Sequence, residues 1–576
     1  MSDFSPFGAL TCGMNRYLPF IERGTTGSVS FREKSQKTSR FTFLWYGVGV
    51  SIAFFSIVVR LFNLSVVNGS YYNVLAEDNR IREVVIEAPR GTLYDRLGYI
   101  LAENTIPDFD LQADRITSSR IYANAEAVSH VLGYRQIADT SDLEKDSCAY
   151  KLKQGDKTGK KGIEYLYECE LRGAKGKKLI EVDAMGRAVK TLDMVPPVKG
   201  SDIHLALDTE LQILAHDLLR NKHGAIVATR PQTGEVLVLE SSPGFDPQVF
   251  ENGDTKAMQA LLLNEEKPLF NRALEGNYPP ASTFKMILAT AGLEEGVITP
   301  EETIMDNGFL EAGPRKFHNW YFLEYGRTEG EVDMVKSLQR SNDIYYYLLG
   351  GKLGPERIKR WAELFGFQNK SGIGLNENAG IIPTSFWKEQ VLKERWYLGD
   401  TYNLSIGQGY VTATPLQVTY ATAAFANNGY LCTPQLLKSN SLEARNCTKI
   451  PMSEATYNVV RQGMKAACEP GGTGHPLFNF RVGSSEQVIT KPQENGEATG
   501  EASLVFTGTP ISIGCKTGTA ESHAESGRPH AWFTAFAPFE SPEIALTVLV
   551  EEGGQGSDVA APIAKKLLEL YFSRTQ

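Results

Sequence analysis

The stretch Asn277-Tyr278-Pro279-Pro280-Ala281-Ser282-Thr283-Phe284-Lys285-Met286-Ile287-Leu288-Ala289 decides how this chain is read. Two prolines cannot sit inside a helix, yet they suit its entry. The run from Phe284 to Ala289 is a good helix former, so Ser282 and Lys285 fall at i and i+3 on one face near a helix N-terminus. There the helix dipole favours negative charge. A serine hydroxyl is a weak nucleophile until a base removes its proton, and a lysine held in a dry pocket beside another cation can be that base. Taken alone, the same residues read as a helix cap and a solvated lysine.

Two further motifs follow in order, Ser341-Asn342-Asp343 and Lys516-Thr517-Gly518. Ser341 can relay a proton, because a hydroxyl both donates and accepts. Asp343 can bind a substrate amide or orient the lysines. Lys516 supplies the second cation. It follows the β-like run Ile511–Cys515, and Gly518 would leave room for a substrate to lie along that strand. Lys516 and the hydroxyls of Thr517 and Thr519 would then hold a substrate carboxylate. The backbone N–H groups of Ser282 and Thr519 are candidates for an oxyanion hole. Each motif alone reads as a cap or a turn. The ordered triple, each in its own helix or strand context, points to nucleophilic acyl transfer.

Around this core, 576 residues leave room for several domains, and 42% hydrophobic with 22% charged residues excludes a mostly disordered, collagen-like or multi-span membrane chain. The net charge of −9 offers no basic field for nucleic acid. Phe41 to Val59 carries no charge over a bilayer-length span and is followed by Arg60, so residues 41–60 are expected to be a transmembrane anchor. Arg16, Arg23, Arg32, Lys34, Lys37 and Arg40 precede it, which places residues 1–40 in the cytoplasm and the rest outside. Cys12 then lies inside. Cys148, Cys169, Cys432, Cys447, Cys468 and Cys515 lie outside, where pairing is permitted but its connectivity stays open.

Residues 61–200 read as a mostly-β region, with a hairpin in Ala88–Asn104. Residues 201–576 read as an α+β domain, an antiparallel sheet flanked by helices. Asp208 caps a helix; Gly224–Thr229 and Glu235–Leu239 form a hairpin; helical stretches fill roughly 330–366 and 414–428. Strands His530–Ala537 and Ile544–Val550 and helix Ala560–Tyr571 close the chain. Lys157-Thr158-Gly159-Lys160-Lys161 lacks the spacing of a phosphate loop and is expected to be a solvated loop. Gln493–Gly500 reads as a polar turn between strands.

The three motifs match the set found in penicillin-binding proteins and class A β-lactamases. The wider sequence resembles the class B penicillin-binding proteins, and most closely the elongation-type PBP2 group. The resemblance is carried by APRGTLYDRLGYILA (88–102), GIEYLYECELRG (162–173), NRALEGNYPPASTFK (271–285), GDTYNLSIGQGYVTATPLQ (399–417), CKTGTAE (515–521), HAWFTAFAP (530–538) and VAAPIAKKLLELYF (559–572). It implies a membrane-anchored serine D,D-transpeptidase that cross-links peptidoglycan stem peptides ending in D-Ala-D-Ala through an acyl-enzyme on Ser282. It also implies acylation by β-lactams, a pedestal or dimerisation-like domain over 61–200, and a SEDS-type, RodA-like glycosyltransferase partner. Ser282, Lys285 and Ser341 would be catalytic; Asp343, Lys516, Thr517, Gly518 and Thr519 would bind substrate. No cofactor is implied. Relatives with a zinc site place it between the first two motifs, where this chain has only His318 and scattered acids (Asp306, Glu311, Asp333), so no metal is expected. Ala281 stands where the family usually has Gly, and Leu398 where it has Pro or Gln. Within this frame Cys468 and Cys515 are expected to pair. A division-type transpeptidase, a non-catalytic β-lactam sensor or scaffold, and a soluble β-lactamase are the alternatives. The intact motifs, the anchor and the 61–200 region argue against the last three.

Overall fold

The computed structural model describes residues 40–105, 115–183, 185–439, 446–490, 502–522 and 527–574. The chain divides into two compact units, Met1–Ile81 and Arg82–Gln576. In the first, the helix Arg40–Phe62 continues through a wider turn, Asn63–Val67, and is followed by the helix Gly69–Arg80. Arg40–Val67 is long and apolar enough to cross a membrane, and none of its most apolar stretch is buried by protein. Exposure of Phe43, Trp45, Phe54 and Phe55 in water would be unfavourable, so such a helix calls for a lipid solvent.

The second unit contains two four-stranded sheets in its N-terminal part. One orders Arg115–Ile116, Ile81–Ile86, Gly176–Val182 and Ala188–Val195; the other orders Ile203–His204, Leu93–Tyr94, Ile100–Thr105 and Ser119–Tyr122. The expected hairpin is the pair Leu93–Tyr94 and Ile100–Thr105, turning through Gly98 at φ +94° with Asp95 accepting from the N–H groups of Leu97 and Tyr99. The segment expected to be a solvated loop is instead a short strand, Lys157–Gly159, paired with Arg135–Ile137. Its Thr158 and Gly159 are buried, and the Gly159 N–H donates to Glu168. Tertiary packing overrides the local polarity there.

Ion pairs with buried carboxylates hold this part together around Glu164 and join it to the rest of the unit through Glu251. Glu164 accepts from Arg90 (2.6 Å) and Arg120 (2.7 Å), and Glu251 accepts from Arg135 (2.7 Å) and Lys157 (3.0 Å). The flanking guanidinium groups outweigh burial and hold the Glu164 carboxyl down at about 2.

The C-terminal part is built on a five-stranded antiparallel sheet in the order Val236–Ser242, Gly224–Thr229, Ile544–Val550, His530–Ala537, Gly514–Ala520. Side chains alternate along His530–Ala537: Trp532 and Phe536 enter one core with the helix Pro415–Ala426, whereas Phe533, Ala535 and Ala537 enter the other with the helix Ala560–Ser573. Both faces are covered, which is why Ile544–Val550 is apolar without alternation. The long helical stretch around 330–366 is three helices, Met334–Gln339, Asp343–Leu353 and Pro355–Leu364. The first break is Ser341 at φ +55° with Asn342 capping the next helix by accepting from the Tyr345 N–H (2.9 Å); the second is Gly354 at φ +73° before Pro355. The turn expected at Gln493–Gly500 lies outside the described residues. Its flanks, Arg481–Thr490 and Ala502–Pro510, pair as antiparallel strands. Three disulfides form: Cys148–Cys169, Cys432–Cys447 and the expected Cys468–Cys515.

Candidate active site

Ser282 sits on a tight turn, Ala281–Phe284, that leads directly into the helix Lys285–Glu294. Ala281 holds φ +50°, a left-handed conformation in which a Cβ is strained and glycine is favoured. That is the physical content of the glycine usual at this place. The turn is pinned by the Ala281 N–H donating to the Gly407 carbonyl (2.8 Å) and by Thr283 Oγ1 donating to the Pro280 carbonyl (2.6 Å). Ser282 stays partly exposed while its neighbours are buried.

Lys285 and Lys516 are both fully buried. Lys285 Nζ donates to the Ser341 carbonyl (2.7 Å), to Asp343 Oδ1 (2.6 Å) and, at 3.4 Å, to Ser341 Oγ; it also lies 5.4 Å from the centre of the Tyr346 ring. Lys516 Nζ donates to Ser341 Oγ (2.8 Å) and to the Thr517 carbonyl (3.1 Å). The Ser341 hydroxyl is thus shared between two ammonium groups that have one carboxylate between them. Burial pushes the Lys285 amine below its usual range, against the pull of Asp343. Burial together with the Lys285 charge pushes Lys516 well below. Both shifts favour a neutral amine able to take up a proton.

Gly514–Ala520 is the sheet's edge strand, and among the described residues no other strand pairs with its outer side, the side on which an extended ligand could be added. The Thr517 and Thr519 carbonyls point to that side, where Lys516 Nζ and Gln408 Nε2 (3.2 Å) reach them. In an antiparallel strand a residue's N–H and C=O share a side, so the Thr519 N–H faces the same groove. Thr519 itself is exposed, and its hydroxyl accepts from the Gly556 N–H (3.4 Å).

Three expected roles are narrowed or changed by the geometry. Asp343, expected to bind a substrate amide or to orient the lysines, is placed for the second: one oxygen accepts from Lys285 and the other from the Trp320 N–H (2.9 Å). Gly518 does not clear space for substrate. A Cβ there would meet Trp532 Cβ at 3.1 Å and Thr283 Cγ2 at 3.2 Å, so the missing side chain makes room for the nucleophile's own turn. Lys516, expected to touch a carboxylate, faces Ser341. Asp306 is spent on the side-chain amides of Asn319 (2.7 Å) and Asn342 (2.9 Å). Among the described residues no cluster of His, Cys, Asp or Glu is placed to hold a metal.

Sequence reasoning missed Gln408 and Thr473. Gln408 bridges the nucleophile turn's neighbour to the edge strand; it stands in SIGQG beside Gly407, where a Cβ would meet the Ala281 carbonyl oxygen at 2.2 Å. Thr473 Oγ1 accepts from Thr517 Oγ1 (2.7 Å). Its only signal was the glycine cluster Gly471-Gly472-Thr473-Gly474 close after Cys468.

Residues 224–569 match the penicillin binding protein transpeptidase domain, and residues 114–205 the penicillin-binding protein dimerisation domain. The chain is 30% identical to peptidoglycan D,D-transpeptidase MrdA of Haemophilus influenzae, over 94% of both chains. Among solved structures, it resembles Pseudomonas aeruginosa PBP2 in complex with WCK 5153 (TM-score 0.68, 32% identity, 85% of this chain and 96% of that one). It also resembles PBP2 of Helicobacter pylori in complex with MreC (TM-score 0.70, 28% identity, 85% and 99%). A third likeness is to a chain of a peptidoglycan synthase complex that coordinates polymerization and crosslinking (TM-score 0.69, 25% identity, 93% and 98%). Family, fold and the buried lysine–serine–lysine cluster agree, and the chain belongs to the PBP2 (MrdA) family of peptidoglycan D,D-transpeptidases.

Proposed function

We propose that Ser282 carries the acyl group in a D,D-transpeptidation that builds the wall during cell elongation. The Ser282 oxygen attacks the carbonyl between the last two D-alanines of a donor stem. Its proton passes to the neutral Lys285 amine, and the peptide C–N bond breaks. The departing D-Ala amine takes a proton through the Ser341 hydroxyl, which both lysines contact. An amine of a neighbouring stem then attacks the ester, forming the cross-link and returning the proton to Ser282. The Ser282 and Thr519 N–H groups stabilise the oxyanion, and the edge strand pairs with the donor's backbone.

The observation that supports this reading most is the Ser341 hydroxyl held 2.8 Å from one buried ammonium and 3.4 Å from the other, with Ser282 one helical turn from Lys285. β-Lactams would acylate the same serine. The MreC complex of the Helicobacter pylori relative supports an elongation role with an MreC-like partner, and the synthase-complex likeness supports a SEDS-type, RodA-like glycosyltransferase partner. The basic residues before Arg40–Phe62 support a cytoplasmic N-terminus and a catalytic region outside the inner membrane. The test is incubation with a fluorescent penicillin. Wild type should label stably and Ser282→Ala not at all; labelling that persists in Ser282→Ala overturns the assignment.

A further inference from the structure

The segment from Cys468 to Gly474 touches both walls of the site. Cys468 is bonded to Cys515, the residue before Lys516. The Gly471 carbonyl accepts from Arg340 Nη1 (2.7 Å), the residue before Ser341. The loop closes on itself through the Gly474 N–H donating to the Ala467 carbonyl (2.7 Å). Gly474 is packed against the disulfide: a Cβ there would lie 2.8 Å from Cys515 Sγ and 3.0 Å from Cys468 Sγ. What this anchored loop delivers to the groove is the Thr473 hydroxyl, 2.7 Å from the hydroxyl of Thr517.

We propose that Thr473 is a positioning residue for the donor's terminal carboxylate, acting through Thr517; the inference rests on the transpeptidase reading above. Thr517 donates to Thr473. A hydroxyl has one proton but can also accept. When a carboxylate enters beside the edge strand, Thr517 turns its proton to the anion and accepts the Thr473 proton in exchange. The two hydroxyls then form a donor chain aimed at the charge, and such chains strengthen each link. Without the Thr473 hydroxyl, Thr517 keeps its donor but loses its orientation and its polarisation. The disulfide and the three glycines fix the loop so that this hydroxyl arrives at one position.

The experiment compares Thr473→Val, which removes the hydroxyl at nearly constant shape, with Thr473→Ser, which restores it. Acylation rates are measured on the full-length protein with a fluorescent penicillin bearing its free carboxylate and with the methyl ester of the same compound. Loss of one net hydrogen bond predicts labelling about fivefold to tenfold slower for Thr473→Val with the free acid. The effect should be recovered in Thr473→Ser and be much smaller with the ester. An equal loss with acid and ester would mean that Thr473 merely braces the strand, and no loss with either would mean that it does nothing for the ligand; both overturn the proposal. Ser282→Ala, run in parallel, tests the underlying reading separately.

Discussion

Replacing Asp343 by Asn keeps the shape of the side chain but removes its charge and one of the two acceptors that serve Lys285 and the Trp320 N–H. Asp343 Oδ1 lies 2.6 Å from Lys285 Nζ, and the lysine is fully buried with a second ammonium group sharing Ser341. Removing one partner of such a pair leaves a buried charge uncompensated, which costs about 3 kcal/mol. For a domain of this size that is a melting-temperature loss of about 5 °C. The sign with pH follows from linkage. Lys285 already sits below its unfolded value through burial, and Asp343 is what holds it up. Without Asp343 it falls further. The extra cost is therefore complete while the lysine is protonated in both proteins, and it fades as pH rises towards the wild-type lysine's own titration. Melting curves of wild type and Asp343→Asn from about pH 6 to about pH 10 should converge at the alkaline end. The pH profile of penicillin acylation should move to lower pH in the variant, since the neutral amine forms earlier. A melting penalty that is the same at every pH, with an unmoved acylation profile, would refute the view that one carboxylate sets the lysine's charge.

Other expectations follow from the same geometry. Cys468→Ala with Cys515→Ala opens a link spanning 47 residues, which in the chain-entropy account costs about 4 kcal/mol, to be read from denaturant unfolding. Gly518→Ala should leave the melting temperature nearly unchanged but slow penicillin labelling about tenfold, because the new methyl presses on the Pro280–Thr283 turn. Ala281→Gly should be close to neutral in melting temperature, since relief of the left-handed strain offsets glycine's entropy, whereas Ala281→Val should lose at least about 2 kcal/mol. Glu164 is held at about 2, against an ordinary 4.5, so its ion pairs contribute on the order of 3 kcal/mol above about pH 4.5, lost as pH falls towards 2. Glu164→Gln should flatten that acid limb of a stability–pH curve.

Strands and helices whose burial pattern is uniform were legible in the sequence. His530–Ala537 and Ile544–Val550 have the expected bounds because both faces are covered and nothing local competes. A cap or turn at Ser341-Asn342 was legible, and Asn342 does cap the next helix, but the left-handed backbone of Ser341 has no composition signal. The sequence left two roles open for Asp343 because an acid beside a motif serine looks the same whether it faces a ligand or a buried amine. The Cys468–Cys515 link was expected, but which hydroxyl of the following loop meets Thr517 depends on how that loop folds, and a glycine cluster does not say so. Lys157–Gly159 was misread because its polarity is compensated by Glu168 and Glu251, which lie elsewhere in the chain.

On the proposed mechanism the Ser341 relay needs Lys516, which belongs to the edge of a sheet whose first hairpin, Gly224–Ser242, precedes the nucleophile. If that reading holds, the relay is complete only once the last strand has joined the sheet, and a covalent label at Ser282 would count finished molecules and pass over unfinished ones.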